Sequence, residues 1–483
     1  MVHQIAQFGL KWTEELFHIV PTWTVEPRID IIKQLALPHL PVADYNIEYF
    51  ASGAFNKLYR ISRVSTTNAD STCGEEEYLM RVALPVYPYF KTASEVATLS
   101  YLADHTSIPV PRVLAHNSCA SNDALGFEWI LMTRLEGVPL RSLWSTPSLP
   151  WRGRVELTKT IAGYIDQMRM IRSQLLGNLY FTRDADDAQG MLAAFGQPNA
   201  SPFEILEEDP KFSVGPICAI PFFYGDRIHL ASDRGPWNSA RAWIEAQLHL
   251  HITCVKKAIE RISGDNNEDA DEDDMEELSG RLTSAEELLN LFTDANENTF
   301  NFATPSGHHL GKETFVLHHD DLSTNNILID PVTHIVTGIV DWECISFVPR
   351  WKAHRMPQFL EGPDIDSIMY RHNYGGDVPQ VPPPPDENEG DELRKEFRER
   401  LEQMLLRDIF VRTSSVSLCP EGYEHPPEGE TAWGRAERVF ERQVMLLEGM
   451  WMWVSDWVKR ISKGGPVVLK HKVGQDLYIW PEV

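Results

Sequence analysis

Cysteine is scarce in this sequence, and the few cysteines lie far apart. Only 6 of the 483 residues are cysteine, and no Cys-x-x-Cys pair occurs. A zinc knuckle needs closely spaced ligands and a disulfide scaffold needs many cysteines, so both are disfavoured. We therefore expect a reducing compartment and a cytoplasmic location.

Long apolar runs are also missing. No stretch approaches the roughly 20 apolar residues that a membrane-spanning helix needs. The best candidate, 444–458, contains Glu448 and Asp456 and is predicted to be part of a buried helix over about 433–461. The first twenty or so residues lack a basic segment followed by an apolar one, so neither a secretory signal nor a typical transit peptide is expected. No membrane partner is expected.

Basic residues are few relative to acidic ones. Lys and Arg total 44 and Asp and Glu total 70, which gives a formal net charge of −26. Such a chain repels phosphate backbones, so we expect no nucleic-acid partner. The composition, 43% hydrophobic and 24% charged, is typical of a globular protein.

Strand patterns occupy the region after residue 45. Residues 46–64 predict a strand, a tight turn at 52–54 and a second strand, and residues 77–84 predict a third. Residues 127–135 predict a further apolar strand, which runs into a Gly-Pro break typical of a hinge. This order predicts an antiparallel sheet.

Helical patterns lie beside and after these strands. Residues 91–104 carry apolar side chains at helical spacing, and Thr92 with Glu95 matches the capping-box pattern. From about residue 155 onward helical patterns dominate, including one over about 237–262. The second part of the chain is therefore predicted to be mainly helical.

Two polar segments interrupt the helical part. Residues 263–277 are nearly all acidic or small, and residues 375–392 are rich in proline and acid. Neither segment can bury a core, so both are predicted to be solvated insertions. The helix after the first insertion is predicted to open with Ser284 and Glu287 as a capping box.

The span 315–349 carries the residues with the clearest chemistry. Two apolar strands are predicted to deliver acidic residues to their ends. Phosphoryl transfer requires positioning and neutralisation of charge, and Mg²⁺ prefers a few hard oxygen ligands from the protein. Asp341 and Asn326 supply a carboxylate and an amide oxygen, and Asp321 is left to accept the proton of an incoming hydroxyl group.

The motif H-x-D-L-x-x-x-N-I-L, followed by I-V-D-W-E, resembles that of the aminoglycoside phosphotransferase and choline kinase group, and in particular its fungal members. His319, Asp321, Asn326 and Asp341 fall on the motif positions, whereas Asp320 replaces the glycine usual in the bacterial enzymes. The resemblance implies an α+β, two-lobed, protein-kinase-like fold. It also implies transfer of the γ-phosphate of ATP, with Mg²⁺, to a hydroxyl group.

The resemblance further implies a nucleotide site built from three segments. These are a shortened loop with a single glycine, a strand cation with a carboxylate partner on the next helix, and a hinge whose backbone bonds adenine. The residues at these positions are Ser52, Gly53 and Asn56 in the loop, Arg81 and Glu95 as the pair, and Met132 to Arg134 at the hinge.

Three regions are predicted along the chain. An extension over 1–45 packs on an N-lobe over 46–134, an antiparallel sheet with one helix that binds the nucleotide. A helical C-lobe over 135–483 holds the catalytic loop, 318–343, on a small β segment. No obligate protein partner is inferred.

Simpler interpretations exist for individual residues. Asp321 is also a common turn residue, and Asp341 could be a helix N-cap. Glu95 is explained by the capping box without any ligand, and Arg81 could pair with nearby surface acids. Glu343 could be a second contact to the metal or form a salt bridge. His319 is expected to shape the loop by hydrogen bonding rather than to transfer a proton.

Alternatives also exist for the whole protein. A nucleotide-binding scaffold without activity is favoured by the single-glycine loop and opposed by the intact motif. A protein kinase is opposed by the absence of a recognisable activation loop after Asp341. A small-molecule acceptor is expected by family analogy, and choline- or sugar-directed kinases would differ only in the acceptor pocket.

Overall fold

The computed structural model describes residues 7–15, 18–64, 77–144, 148–195, 203–264, 272–294, 313–353 and 356–361, with shorter stretches between 402 and 479. The strands are β1 (Leu10–Glu15), β2 (His18–Trp23), β3 (Tyr45–Ser52), β4 (Asn56–Arg63), β5 (Tyr78–Ala83), β6 (Val113–Asn117), β7 (Glu128–Thr133), β8 (Val138–Pro139), β9 (Arg172–Ser173), β10 (Gly177–Phe181), β11 (Glu204–Ile205), β12 (Phe212–Gly215), β13 (Phe315–His318), β14 (Ile327–Ile329), β15 (Val336–Ile339), β16 (Ser346–Pro349), β17 (Lys470–Val473) and β18 (Asp476–Ile479). The α-helices with defined bounds are α1 (Ile29–Ala36), α2 (Phe90–His105), α3 (Arg141–Trp144), α4 (Trp151–Met170), α5 (Ala185–Ala194), α6 (Ile220–Phe223), α7 (Ala240–Gly264), α8 (Glu272–Asp294), α9 (Arg350–Ala353), α10 (Gln358–Glu361) and α11 (Trp451–Ser462).

The N-lobe is a five-stranded antiparallel sheet in the order β3-β4-β5-β7-β6. Side chains alternate across it: Tyr59, Ile61, Met80 and Val82 pack with α1 in one cluster. Ile130 on β7 packs instead with α2 in the main core. The sheet and the helix predicted from the sequence are therefore confirmed.

The N-terminal extension contacts both lobes. Phe8 and Trp23 pack on Phe127 of the N-lobe, with ring centroids 5.4 and 5.2 Å away. Trp12 packs on Tyr224 in the second half of the chain, at 5.0 Å. The β1–β2 hairpin therefore spans from the N-lobe sheet to the C-lobe.

Helix α2 does not begin with the predicted capping box. It starts at Phe90, and its N-cap, Tyr89, makes no side-chain cap and has φ of 71°. Thr92 and Glu95 lie inside the helix and are buried. The start is set by tertiary packing, because Phe90 inserts beside Tyr87 with ring centroids 4.8 Å apart.

The second predicted capping box is also wrong. Helix α8 begins at Glu272, so Ser284 and Glu287 lie within it and Ser284 is buried. The acidic residues over 272–277 are helical rather than a solvated loop, because carboxylates near a helix N-terminus are stabilised by the helix dipole. The rest of that insertion, 265–271, and the insertion over 375–392 lie outside the described residues.

The C-lobe combines helices with two sheets. One has six strands in the order β11-β12-β10-β16-β13-β9, and the other has three, in the order β15-β14-β8. Strands β9 to β12 were not predicted from the sequence because they are short. In addition, β10 and β12 are buried on both faces, so polar and apolar residues do not alternate along them. The predicted α+β class and two-lobed architecture are confirmed.

The end of the chain is described only in part. Helix α11 and the helical residues within 440–447 bury Val444, Leu447, Val454 and Val458, as predicted for a buried helix. No helix in the part of the chain that the structure describes is long and apolar enough to cross a membrane.

The link between the lobes is bonded to the predicted catalytic loop. Strand β8 pairs with β14, and the amides of Leu140 and Arg141 bond to the carbonyls of Ile327 and Thr324 at 2.8 and 2.9 Å. Gly137, with φ of 111°, passes so close to β14 that a Cβ would lie 2.7 Å from the carbonyl oxygen of Ile329. Only glycine fits there, so the hinge is held at a fixed distance from the loop.

Asn178 on β10 joins three segments where the lobes meet. Its Nδ2 donates to Ser94 Oγ on α2 at 3.0 Å and to the carbonyl of Ile345 at 2.9 Å, and its Oδ1 accepts from the amide of Cys218 at 2.8 Å. The side chain is fully buried. One amide group therefore links α2 of the N-lobe to two segments of the C-lobe.

Replacing Asn178 with alanine should lower the free energy of unfolding by about 2–4 kcal/mol, because each buried polar group left unpaired costs about 1–3 kcal/mol. Urea denaturation measures the change. Asn46→Ala is the matched control, since Asn46 is exposed on β3, and it should shift the value by less than about 0.5 kcal/mol. Equal effects of the two substitutions would contradict the role of Asn178.

Candidate active site

The loop between β13 and β14 brings two of the predicted residues together. Asn326 Nδ2 donates to both the backbone carbonyl and Oδ2 of Asp321, each at 2.9 Å. The amide of Ser323 also bonds to the carbonyl of Asp321 at 2.9 Å. The turn therefore fixes the Asp321 carboxylate and leaves the Asn326 carbonyl oxygen as the free end of its side chain.

Asp341 is tied to the same loop through the backbone. The amide of Val340 bonds to the carbonyl of Asn326 at 2.9 Å. Trp342 is buried, and its Nε1 donates to the carbonyl of Ile339 at 2.8 Å. Between them Asp341 has φ of 65°, a left-handed conformation that aspartate adopts more readily than most residues. The motif residues Asp321, Asn326 and Asp341 thus occupy neighbouring positions.

The side chain of His319 is buried behind the loop rather than exposed at its surface. Its Nε2 donates to the carbonyl of Val340 at 3.3 Å, and its ring meets Trp342 edge-on at 4.8 Å. Burial lowers the pKa of His319 to about 4, so the ring is neutral at pH 7. His318 points elsewhere and contacts Asp320 at 3.2 Å. The two histidines therefore share no site.

Both acidic residues of the motif have raised pKa values. Burial raises the pKa of Asp321, and hydrogen bonds from Asn326 and Ser323 oppose this rise. Burial and then the Glu343 carboxylate raise the pKa of Asp341. A cation beside these groups would favour their ionised forms.

Arg81 projects from β5 into a buried cluster of carboxyl groups. It contacts Glu95 on α2, and its Nη2 lies 3.4 Å from Asp341 Oδ1 and 2.6 Å from Glu343 Oε2. Burial opposes the charge, but these carboxylates raise the pKa of Arg81, so it stays a cation. The structure therefore pairs Arg81 with Glu95. It does not pair Arg81 with the surface acids near residue 77, because β5 is an inner strand and Glu77 pairs with Arg134.

Lys91 also belongs to this cluster, although the sequence analysis did not predict it as a site residue. Its Nζ lies 2.6 Å from Glu343 Oε2 and donates to Asn56 Oδ1 at 2.8 Å. Asn56 Nδ2 also donates to Glu343 Oε2 at 3.0 Å. The signal was present, because Lys91 precedes Glu95 by four residues and so shares its helix face.

Glu343 forms salt bridges with both cations, which is one of its two predicted interpretations. Burial alone would raise its pKa, but the charges of Lys91 and Arg81 lower the pKa of Glu343 to about 2. Its side chain is 14% exposed, whereas that of Asp341 is 40% exposed. Asp341 is therefore the more open carboxylate of the D-W-E sequence.

The predicted nucleotide loop is a β-turn anchored at its far end. Ser52 and Gly53 are exposed, and the amide of Gly53 bonds to the carbonyl of Asn56 at 3.0 Å. Phe55 packs edge-on against Phe223 of the C-lobe at 5.6 Å. The loop is thus attached to the C-lobe on one side and, through the buried Asn56 side chain, to the charge cluster on the other.

Backbone N–H groups of the predicted hinge residues are already hydrogen-bonded to neighbouring strands and loops. Met132 lies within β7, between β5 and β6. The amides of Thr133 and Arg134 bond to the carbonyls of Arg112 and Glu77 at 3.0 and 2.9 Å. Among the described residues, Leu135 is the first after β7 whose N–H makes no backbone hydrogen bond.

A self-contained metal centre is missing from the described ranges. No group of three or more His, Cys, Asp or Glu side chains there could hold an ion. Mg²⁺ in phosphotransferring sites takes one or two protein carboxylates and completes its shell with phosphate and water. Asp341, with the carbonyl oxygen of Asn326, fits that donor set.

Comparison with protein families gives a match over most of both lobes. The phosphotransferase enzyme family matches residues 47–351. The matched range begins in β3 and ends in α9, so it contains the loop, the charge cluster and the three motif residues.

Two groups of curated fungal proteins are similar to the chain. A subtelomeric hrmA-associated cluster protein of Aspergillus fumigatus is 26% identical over 337 residues, which are 65% of this chain and 60% of that protein. The altered inheritance of mitochondria protein 9 of Clavispora lusitaniae, named as mitochondrial, is 24% identical over 275 residues, 53% of this chain and 42% of that protein. The chain thus spans about half of the length of these relatives.

Solved structures give weaker similarity. The aminoglycoside-3'-phosphotransferase of type VIII is 17% identical, with a TM-score of 0.31, over 79% of this chain and 98% of that chain. The macrolide 2'-phosphotransferase of Brachybacterium faecium is 13% identical, with a TM-score of 0.30, over 82% of this chain and 99% of that chain. The description of the fold therefore depends on the strand order and helix positions given above.

His319 should make the stability of the protein depend on pH. Its folded pKa, about 4, lies below the unfolded value of roughly 6.5. The unfolded state therefore binds more protons between these values, and the free energy of unfolding should fall by up to about 1.4 kcal/mol per pH unit as pH decreases through this window. Urea denaturation from pH 7 to 4 measures it. His319→Phe should remove this component, and an identical pH slope in the variant would contradict the assignment.

Proposed function

The chain belongs to the phosphotransferase enzyme family, and we propose that it transfers the γ-phosphoryl group of ATP, with Mg²⁺, to a hydroxyl group of a small molecule. The observation that carries the proposal is the contact of Asn326 with Asp321, beside Asp341. Phosphoryl transfer needs a carboxylate at the nucleophile and oxygen ligands at the metal, in one place.

Asp321 is the proposed general base. Its carboxylate is held by Asn326, which fixes its direction. As the acceptor hydroxyl oxygen forms its bond to the γ-phosphorus, Asp321 takes the hydroxyl proton and ADP leaves with the electron pair of the broken P–O bond. His319 shapes this loop from below and transfers no proton.

Asn326 and Asp341 are the proposed magnesium ligands. Asn326 donates its NH₂ group to Asp321, so its carbonyl oxygen is the atom left for the metal. Asp341 is the more exposed carboxylate of the D-W-E sequence. When bound, Mg²⁺ supplies neutralisation of the phosphate charge.

The nucleotide is proposed to bind between the lobes. The turn Ser52–Asn56 covers the phosphates, and Arg81, oriented by Glu95, faces them. The hinge after β7, which contains Met132 and Arg134, is proposed to bind adenine, and Leu135 supplies the first open backbone N–H there.

The proposed acceptor is a small molecule, and no nucleic acid, membrane or obligate protein partner is part of the proposal. The charge of −26 supports the exclusion of nucleic acid. A cytoplasmic location is also proposed. Its support is that the four cysteines within the described residues form no disulfide: Cys218 and Cys344 are in hydrogen-bond contact, with their sulfur atoms 3.9 Å apart.

Replacing Asp321 with asparagine should reduce turnover by roughly 10²- to 10⁴-fold, which is the usual contribution of a general base, while ATP binding is retained. The acceptor is first identified by screening hydroxylated metabolites for ADP release. Asp330→Asn, at an exposed turn on the same β segment, is the control and should keep full turnover. Undiminished turnover of the Asp321 variant would discard the base assignment. Nucleotide binding without ADP release from any compound would favour an inactive scaffold.

Replacing Asp341 with asparagine should weaken the magnesium dependence of nucleotide binding. The concentration of Mg²⁺ needed for half-maximal binding of a non-hydrolysable ATP analogue should rise by more than the roughly 10- to 100-fold cost of losing an outer-shell partner. Calorimetric titration measures it. Asp104→Asn, on the exposed end of α2, should leave the dependence unchanged, and an equally small effect at Asp341 would count against its role as a ligand.

A further inference from the structure

Lys91 and Glu343 form a buried ion pair between the lobes, and the proposed reaction uses neither residue directly. Lys91 lies in the first turn of α2, and Glu343 lies two residues after Asp341. Both side chains are largely excluded from solvent, with exposed fractions of 2% and 14%. The desolvation of two buried charges costs more free energy than their attraction returns unless their geometry is good. This pair therefore needs an explanation.

Three groups of the N-lobe converge on one oxygen atom of Glu343. Lys91 Nζ and Arg81 Nη2 each lie 2.6 Å from Oε2, and Asn56 Nδ2 donates to it at 3.0 Å. These donors come from α2, β5 and β4, which are separate elements of the N-lobe. Glu343 therefore connects the N-lobe to residues 341–343, which we call the D-W-E turn.

The D-W-E turn is held by contacts to both lobes. Asp341 and Cys344 both have positive φ, 65° and 60°, and neither is glycine. Such conformations persist only where the surroundings impose them. Trp342 anchors the turn to the core of the C-lobe, and Glu343 anchors it to the N-lobe. The position of the Asp341 carboxylate depends on both anchors.

We propose that Lys91 is a positioning residue for the metal ligand Asp341. By holding Glu343 against α2, Lys91 fixes the D-W-E turn and leaves Asp341 as the open carboxylate. Arg81 alone would not replace it, because Arg81 also contacts Glu95 and Asp341. The inference rests on the proposed function, because it assumes that Asp341 binds the metal.

The test compares Lys91→Met, which removes the charge, with Lys91→Arg, which keeps it. The first readout needs no ligand: amide hydrogen exchange of peptides covering 341–347 should become faster in Lys91→Met. The second is the Mg²⁺ concentration needed for half-maximal binding of a non-hydrolysable ATP analogue, which should rise roughly tenfold or more, as for other outer-shell partners. Lys91→Arg should restore both towards the wild-type values.

Two further variants make the result specific. Lys57→Met removes a lysine from the neighbouring strand β4, where it pairs with the exposed Glu26 at 2.5 Å, and it should change neither readout. Glu343→Gln should reproduce the effects of Lys91→Met, and the double variant should show less than the sum of the two. If Lys91→Met fails to fold, Glu343→Gln carries the same test.

The outcomes separate this inference from the proposed function. Unchanged exchange and unchanged magnesium dependence in Lys91→Met and Glu343→Gln, with a wild type that binds Mg²⁺ and nucleotide, would overturn the role of Lys91 alone. A wild type that binds no nucleotide, with exchange that still responds to Lys91→Met, would overturn the proposed function and support the fixing of the turn. Additive effects in the double variant would also overturn the inference.

Discussion

The arrangement of this site depends on one constraint: charges that are removed from water must find partners. Arg81, Lys91, Glu95 and Glu343 are all buried or nearly so, and each contacts an opposite charge. Loss of one partner of a buried pair leaves the other uncompensated, at a cost of about 3–5 kcal/mol. Glu343 comes from the C-lobe and its partners Arg81 and Lys91 from the N-lobe, so this pairing also joins the two lobes.

The same cluster connects the parts that the proposed chemistry needs. Asn56 joins it from the strand that follows the turn at Ser52 and Gly53, and Arg81 joins it from the centre of the sheet. Asp341 lies at its open edge. Hydrogen bonds at the interface, such as those of Asn178, reinforce the connection. The family assignment and the geometry are therefore consistent: the residues of the proposed chemistry lie where the two lobes contact each other.

The predicted hinge and the predicted catalytic loop are joined through the backbone. Strand β8 pairs with β14, and this pairing requires the close approach at Gly137. A displacement of the N-lobe would therefore be transmitted to the loop that carries Asp321 and Asn326. The hairpin of the N-terminal extension also contacts both lobes, at Phe127 and at Tyr224.

The sequence by itself determined the local features. The strand-like runs and the turn of β3 to β5, the apolar spacing of α2 and the motif around Asp321, Asn326 and Asp341 follow from local composition and spacing, which the chain carries regardless of its tertiary contacts. Tertiary structure decided the remainder. Helices α2 and α8 begin where packing or the helix dipole favours them rather than at Thr92 or Ser284, and the short buried strands β10 and β12 show no alternation. Lys91 meets Glu343 across 252 positions of sequence, because only the packing of the two lobes determines which distant charges become neighbours.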